Sequence, residues 1–490
     1  QMLERIAGTK KAFPRQSFPE QFYDKVKRDP DKTAILLEER SMSYGEVWEA
    51  ACRLAETIGF GGERFVAVMA DRSFELVISL IGTMLAGACY VPLDPEYPEE
   101  RIRYILKDSS PEAVLYYVKE ERAQALAVFA ELDIPVISVP IAGEAGDTGI
   151  AAPGSGTFAD GMDSEEAKDT CGSFRGMGLW DRLAYMIYTS GTTGMPKGVE
   201  IEHKALADMI FAHEERFGSL VDDTVLLMSN FVFDASVQQI FTPLAQGGMV
   251  CIMTKERMGS SKEIGDYCKD HKVSFIGATN ALLRTLDPLD FDGIRVMSIG
   301  GYEADPALFE KWAAHTTLLV NDYGPTETTL HAVSHIYETG ESKPVPIGVP
   351  YINKRICIMQ QSRLCGIGQQ GELCIGGNGL ARGYHNQTKL TEEHFQPDPF
   401  SDGRIYRTGD LAVFGPDGRI FFRGRKDSQV KIRGFRIEPG EIDSAIMGFP
   451  GIKESATVSR KEDGREAYLV SYVTGEADME TGALLEKEMA

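Results

Sequence analysis

The 490-residue sequence contains no Cys-x-x-Cys pair, although cysteine occurs eight times, at 52, 89, 171, 251, 268, 357, 365 and 374. Paired-thiol zinc sites and thioredoxin-type motifs are excluded, and a chain of this length needs no disulfide staples. Free thiols in a reducing cytoplasm are the expectation. Long hydrophobic runs are missing too. The most apolar stretch, Leu76 to Val91, is interrupted by Ser79, Gly82, Thr83 and Gly87. That pattern fits a buried helix feeding a strand better than a membrane span. Positive charge is scarce: Lys plus Arg number 51 against 73 Asp plus Glu, a formal net charge of −22. A protein that coats nucleic acid needs a basic face, so that class is excluded. No strand is followed by Gly-x-Gly-x-x-Gly with an acidic residue about 20 positions further on, which excludes a dinucleotide-binding dehydrogenase.

What is present is alternation. Short β-branched runs at Phe65 to Met69, Cys89 to Val91, Leu183 to Tyr188, Thr224 to Met228, Met249 to Met253 and Arg295 to Ile299 take turns with helical patterns such as Glu75 to Met84. This predicts an α/β fold with parallel sheets, and the length predicts more than one domain. Residues 141–180 hold nine glycines and seven acids against Lys168 and Arg175, the texture of an acidic surface insertion. From about 345 the chain reads as all-β with Gly-rich turns. After Gly424-Arg425-Lys426-Asp427 it reads as a small α+β unit with a helix beginning near Pro439.

The segment richest in chemistry runs from Leu183 through Thr189-Ser190-Gly191-Thr192-Thr193-Gly194-Met195-Pro196-Lys197-Gly198. A buried strand enters a loop of small and hydroxyl residues that ends on a lysine. Such a loop lets backbone N–H groups and hydroxyls close around phosphate oxygens while the ammonium adds charge. It is not a Walker A loop, because Gly198 stands where Ser or Thr would follow the lysine.

With this loop in place, seven further segments fall in order. They are Ser43 to Val47, Met84 to Asp94, Phe233-Asp234-Ala235-Ser236, Asn321-Asp322-Tyr323-Gly324-Pro325-Thr326-Glu327, Gly371 to Tyr384, Tyr406 to Leu411 and Gly424 to Gly434. Together they closely resemble the adenylation domains of nonribosomal peptide synthetases, within the adenylate-forming family of acyl-CoA synthetases and luciferases. The resemblance spans nearly the whole chain. It implies a large N-terminal domain over 1–424 made of two packed α/β sheets and a small β-barrel at about 345–424. A hinge at 425–430 with Asp427 at its centre would follow, then a partial C-terminal domain at 431–490. It also implies ATP-dependent activation of an amino acid as aminoacyl-adenylate, with release of pyrophosphate and transfer to the phosphopantetheine thiol of a carrier domain.

By the same resemblance, Thr189, Ser190, Gly191, Thr192, Thr193, Gly194 and Lys197 would hold the phosphates, and Glu327 would hold Mg²⁺. Tyr323 would stack on adenine, with Asn321, Asp322, Thr326 and Phe422 nearby, Asp410 on the ribose hydroxyls and Arg425 on ribose or phosphate. Thr189, Lys197 and Glu327 form the catalytic set. Asp234 would pair with the substrate's α-ammonium group, and Phe233 would gate the pantetheine arm. The side-chain pocket would be lined by Ala235, Gln238, Gly277, Ser298, Gly300, Asp322, Leu330 and His331. Three small residues with polar walls imply a large polar or cationic side chain, with a polar aromatic one as second choice. No general base is required, because an α-carboxylate with a pKa of about 3.5 is already ionised at neutral pH.

The sequence departs from the family at one point. No Asn-Gly-Lys follows Asp443, where the family carries a lysine that bridges the carboxylate and phosphate. A shortened chain with reduced adenylation rate is the corresponding expectation. The partners implied are an amino acid and a peptidyl carrier domain, with a condensation domain and an MbtH-like protein as further candidates. An acyl- or aryl-CoA ligase and a non-catalytic adenylate-binding or carrier-docking module remain as alternatives. Charge distribution agrees with a phosphate cleft: residues 419–436 carry +6, leaving −28 for the rest.

Overall fold

The computed structural model describes residues 8–120, 122–139, 176–191, 195–301, 303–341, 343–427, 429–432, 435–449, 451–460 and 468–475. Most of the acidic 141–180 segment, Thr192, Thr193 and Gly194 lie outside them.

Local signals start the helices. Ser43 and Glu46 form a capping box on the helix Tyr44–Ile58, and Ser260 with Glu263 does the same for Ser261–Asp270. The apolar stretch from Leu76 becomes the helix Phe74–Leu85, buried at every position, followed by the strand Cys89–Leu93. A helix apolar all round must be covered on all sides. It is covered by the helices Phe18–Arg28 and Tyr44–Ile58 on one side and the strands Phe65–Ala70, Cys89–Leu93 and Ala113–Tyr117 on the other.

One sheet has nine strands. Six run parallel in the order Leu318–Tyr323, Val296–Gly300, Phe275–Thr279, Thr224–Leu227, Met249–Ile252 and Thr33–Leu37. Antiparallel strands extend both edges. The second sheet has seven strands, five of them parallel. Its remaining two include Lys197–Glu202, which returns antiparallel to Leu183–Thr189 with Thr189 opposite Lys197. The phosphate-type loop therefore joins two arms of a hairpin. One hydrophobic core takes Ile35 and Val250 from the first sheet, Val68 and Tyr185 from the second, and the helices between.

The appended β unit is a six-stranded antiparallel sheet with its own core around Ile356, Leu373 and Ile405. Beyond it lie two short hairpins and the helix Pro439–Met447. Expected strand ends move by one or two residues. Among the described residues no helix is long and apolar enough to cross a membrane. Cys89, Cys251, Cys268, Cys357, Cys365 and Cys374 are buried free thiols. Cys52 departs from the free-thiol expectation, because it is disulfide-bonded.

Candidate active site

Three groups of side chains meet at the carboxyl ends of the parallel strands, the usual place for a ligand in open α/β sheets. The first surrounds the lysine of the hairpin. Lys197 is almost fully buried, and its Nζ lies 3.3 Å from Glu327 Oε1. The same ammonium donates to the Tyr384 hydroxyl at 3.1 Å and sits 4.3 Å from that ring's centre. Tyr384 donates in turn to Glu327 Oε1 at 2.9 Å, and Tyr406 lies 3.3 Å from the Tyr384 hydroxyl. Thr189 Oγ1 is buried without a hydrogen-bond partner among the described residues, one strand across from Lys197. Ser190 and Gly191 follow it, both buried.

Glu327 sits on a single 3₁₀ turn, Thr326–Thr328, and this turn carries the link to the second group. Thr326 donates to Asp234 Oδ2 at 2.6 Å. Asp234 stands at the N-terminal end of the helix Ala235–Gln246 without capping it through its side chain. Near Asp234 the Tyr185 phenol is buried with no hydrogen-bond partner among the described residues, and burial and then the Asp234 charge push its pKa well up. Phe233 is exposed beside it.

The parallel register brings Gly277 beside Ser298. Ser298 donates to Asp322 Oδ2 and Tyr351 donates to Asp322 Oδ1 at 2.7 Å. His331 Nδ1 is 3.9 Å from Asp322 and 3.2 Å from His213 Nε2. A Cβ on Gly300 would stand 3.8 Å from His331 Nε2, and one on Gly277 would stand 3.6 Å from Gln238 Oε1. Gln238 Nε2 is itself buried without a partner among the described residues. Ser298, Gly300, Asp322 and His331 thus come together, as do Gly277 and Gln238. Ala235 begins the helix, and Leu330 is buried with φ 70°.

Strand alternation sends Tyr323 to the opposite face from Asp322. There Tyr323 donates to Asp410 Oδ2, while Arg425 bonds to Asp410 Oδ1 and forks onto Asp427 at 2.6 and 2.7 Å. Burial, then the charge of Asp410, raises the Tyr323 pKa well above its ordinary value. Phe422 packs on the neighbouring core, and Asn321 donates to the Pro346 carbonyl at 2.8 Å. The structure therefore groups Asp322 with Ser298 and His331 and turns it away from Tyr323.

Five residues outside the sequence-derived set belong to these groups. Tyr185, Tyr384 and Tyr406 lie within quoted motifs, so their spacing could have nominated them. His213 and Tyr351 sit in no motif. Among the described residues no group of three or more His, Cys, Asp or Glu could hold a metal ion. A single carboxylate beside a lysine fits Mg²⁺ carried mainly by phosphate oxygens and water.

The sequence model of the family described as AMP-binding enzyme matches residues 22–385. The chain belongs to the AMP-binding enzyme family. Within this family it is 35% identical over 474 residues to tyrocidine synthase 2 of Brevibacillus parabrevis, covering 94% of this chain and 12% of the relative. It is 35% identical to bacitracin synthase 3 of Bacillus licheniformis, covering 100% of this chain and 7% of the relative. The chain thus spans only a small part of these relatives' length. A holo four-domain nonribosomal peptide synthetase, solved with AMP and glycine, aligns with a TM-score of 0.73 at 29% identity. That alignment covers 99% of this AMP-binding chain and 35% of the solved one.

Proposed function

We propose that this chain activates an amino acid as its aminoacyl-adenylate and passes the acyl group to a carrier-bound phosphopantetheine thiol. The observation that carries this reading is the 2.6 Å bond from Thr326 to Asp234, one residue from the Lys197–Glu327 pair. It joins a site for an ammonium group to a site for phosphates through one rigid turn.

In the first step a carboxylate oxygen of the amino acid attacks the α-phosphorus of ATP. The bond from that phosphorus to the bridging oxygen breaks, and pyrophosphate leaves. The chemistry needs alignment of two anions and compensation of charge. Lys197 supplies charge beside the hairpin, with Thr189, Ser190 and the loop backbone as donors. Glu327 would hold Mg²⁺, which neutralises phosphate charge when bound. Asp410 can receive two ribose hydroxyls once Tyr323 and Arg425 yield its oxygens, and Tyr323 then offers its ring to adenine. Asp234 fixes the α-ammonium, while Gln238, Asp322 and His331 meet a large polar or cationic side chain. In the second step the thiol sulfur attacks the acyl carbon, AMP departs, and the thiol proton passes to solvent. Asp427 would act as the hinge between these steps.

An acid-activating ligase would have no use for Asp234. In Asp234→Asn the KM for an amino acid should rise roughly ten- to a hundredfold, the worth of a hydrogen bond to a charged group. The deamino analogue of the same acid should be affected little. Pyrophosphate release measures both. An unchanged KM for the amino acid would refute the assignment.

A further inference from the structure

The turn that carries Thr326, Glu327, Leu330 and His331 holds a conformation that its sequence disfavours. Thr329 and Leu330 both have positive φ, 57° and 70°. A β-branched residue meets steric resistance there, and such a conformation persists only when its surroundings fix it. Thr329 is fully buried, and its hydroxyl donates to the Gly379 carbonyl at 2.8 Å. Two residues on, the Ala381 N–H donates to the Glu327 carbonyl at 2.9 Å. The backbone of 379–381 therefore grips the turn at two points.

That backbone rests on a buried ion pair. Lys354 Nζ lies 3.0 Å from Asp208 Oδ2, with side chains 1% and 0% exposed. Asn378 Nδ2 donates to Asp208 Oδ1 at 3.4 Å. A Cβ on Gly379 would stand 1.5 Å from Lys354 Nζ, so the ammonium fills the place of the missing side chain. The pair joins the helix His203–Phe217 to the strand Lys354–Gln360. Replacing a buried ion pair by apolar groups of similar volume is often neutral or stabilising. Stability alone is then a weak reason to bury two charges under the turn.

Resting on the adenylation activity argued above, we propose that Lys354 and Asp208 are positioning residues for that reaction. Their ion pair seats the 378–381 backbone, which holds Thr329 left-handed. The turn so held sets where Glu327 meets Lys197 and where Thr326 meets Asp234.

The test uses the full chain, the double variant Asp208→Leu/Lys354→Met, and the single variants Thr329→Ser and Thr329→Val. Thermal melts and amino-acid-dependent ATP–pyrophosphate exchange are measured on each. The double variant should melt close to wild type while its exchange kcat falls about tenfold or more. Thr329→Val should lose kcat similarly, and Thr329→Ser, which keeps the hydroxyl, should retain it. A double variant with wild-type kcat per folded molecule overturns the proposal, as does equal activity of the serine and valine variants. Should the double variant not fold, the serine and valine pair decides. Wild-type protein that exchanges with no amino acid refutes the activity instead, so the two failures are distinct.

Discussion

Lys197 and Glu327 are a charged pair in a place where charge is costly. Both side chains are within 2% of full burial, and a buried pair gives little net stability compared with apolar groups of the same volume. In the proposed reaction its value lies in what it does to a neighbouring phosphate. Glu327→Gln keeps the shape and an oxygen acceptor for Tyr384 but removes the charge. It should fold normally while ATP–pyrophosphate exchange falls about a hundredfold or more, the usual loss when a preorganised electrostatic group is removed. Tyr384→Phe, which cuts the bonds to both partners, should cost less; melting curves and Mg²⁺ titration of the exchange rate check both variants. Lys197 and Glu327 were legible because each closes a local motif, Pro-Lys-Gly and Gly-Pro-Thr-Glu. Tyr384 ends a quoted motif as well, but His213 lies in none and stands 118 residues from the His331 it meets. Contacts at that separation leave no periodicity or spacing to read, and tertiary folding alone brings them together.

Elements were legible where their burial is extreme. The interrupted apolar run from Leu76 gave helix then strand because Gly82 and Ser79 fit inside a fully buried helix. The small-residue stretch before Lys197 falls between two paired strands, Leu183–Thr189 and Lys197–Glu202. Less visible was why the helix Ser261–Asp270 carries a glycine in its interior. A Cβ on Gly265 would stand 2.2 Å from the Asp290 carbonyl oxygen of the neighbouring 3₁₀ turn. Alanine is the better helix former by about 1 kcal/mol, yet here the clash with backbone should win. Gly265→Ala is expected to destabilise by roughly 1–3 kcal/mol, the typical cost of overpacking. Urea unfolding measures it, and the exchange activity of the folded fraction should not change. A stabilised variant would show that the two elements can part without cost.

At the scale of the whole molecule, alternation alone predicted the parallel α/β body, whereas pairing order between distant strands had no local signal. Buried histidines give the fold its acid response. Burial first, then the Arg182 charge, lowers the His203 pKa to about 3, and both its ring nitrogens are buried without hydrogen-bond partners among the described residues. Burial and the neighbouring His331, Lys354 and Arg216 likewise depress His213. A histidine depressed in the fold takes up protons on unfolding below about pH 6.5, so its contribution to stability falls as pH falls. For His203 this amounts to roughly 2 kcal/mol by pH 5. His385 acts in the opposite sense: burial opposes its protonation, but Glu200 and Asp108 together outweigh that and raise its pKa, so its contribution is full below about pH 6.5 and fades as pH rises. His203→Leu should therefore flatten the acid limb of a stability-versus-pH curve. The measurement that reaches the central claim most directly is ATP–pyrophosphate exchange by the wild-type chain. The assay takes the twenty common amino acids, several basic non-proteinogenic ones and their deamino acids. Exchange should depend on the α-amino group and be strongest with a large polar or cationic side chain. Equal exchange with deamino acids, or none with any amino acid, would contradict it.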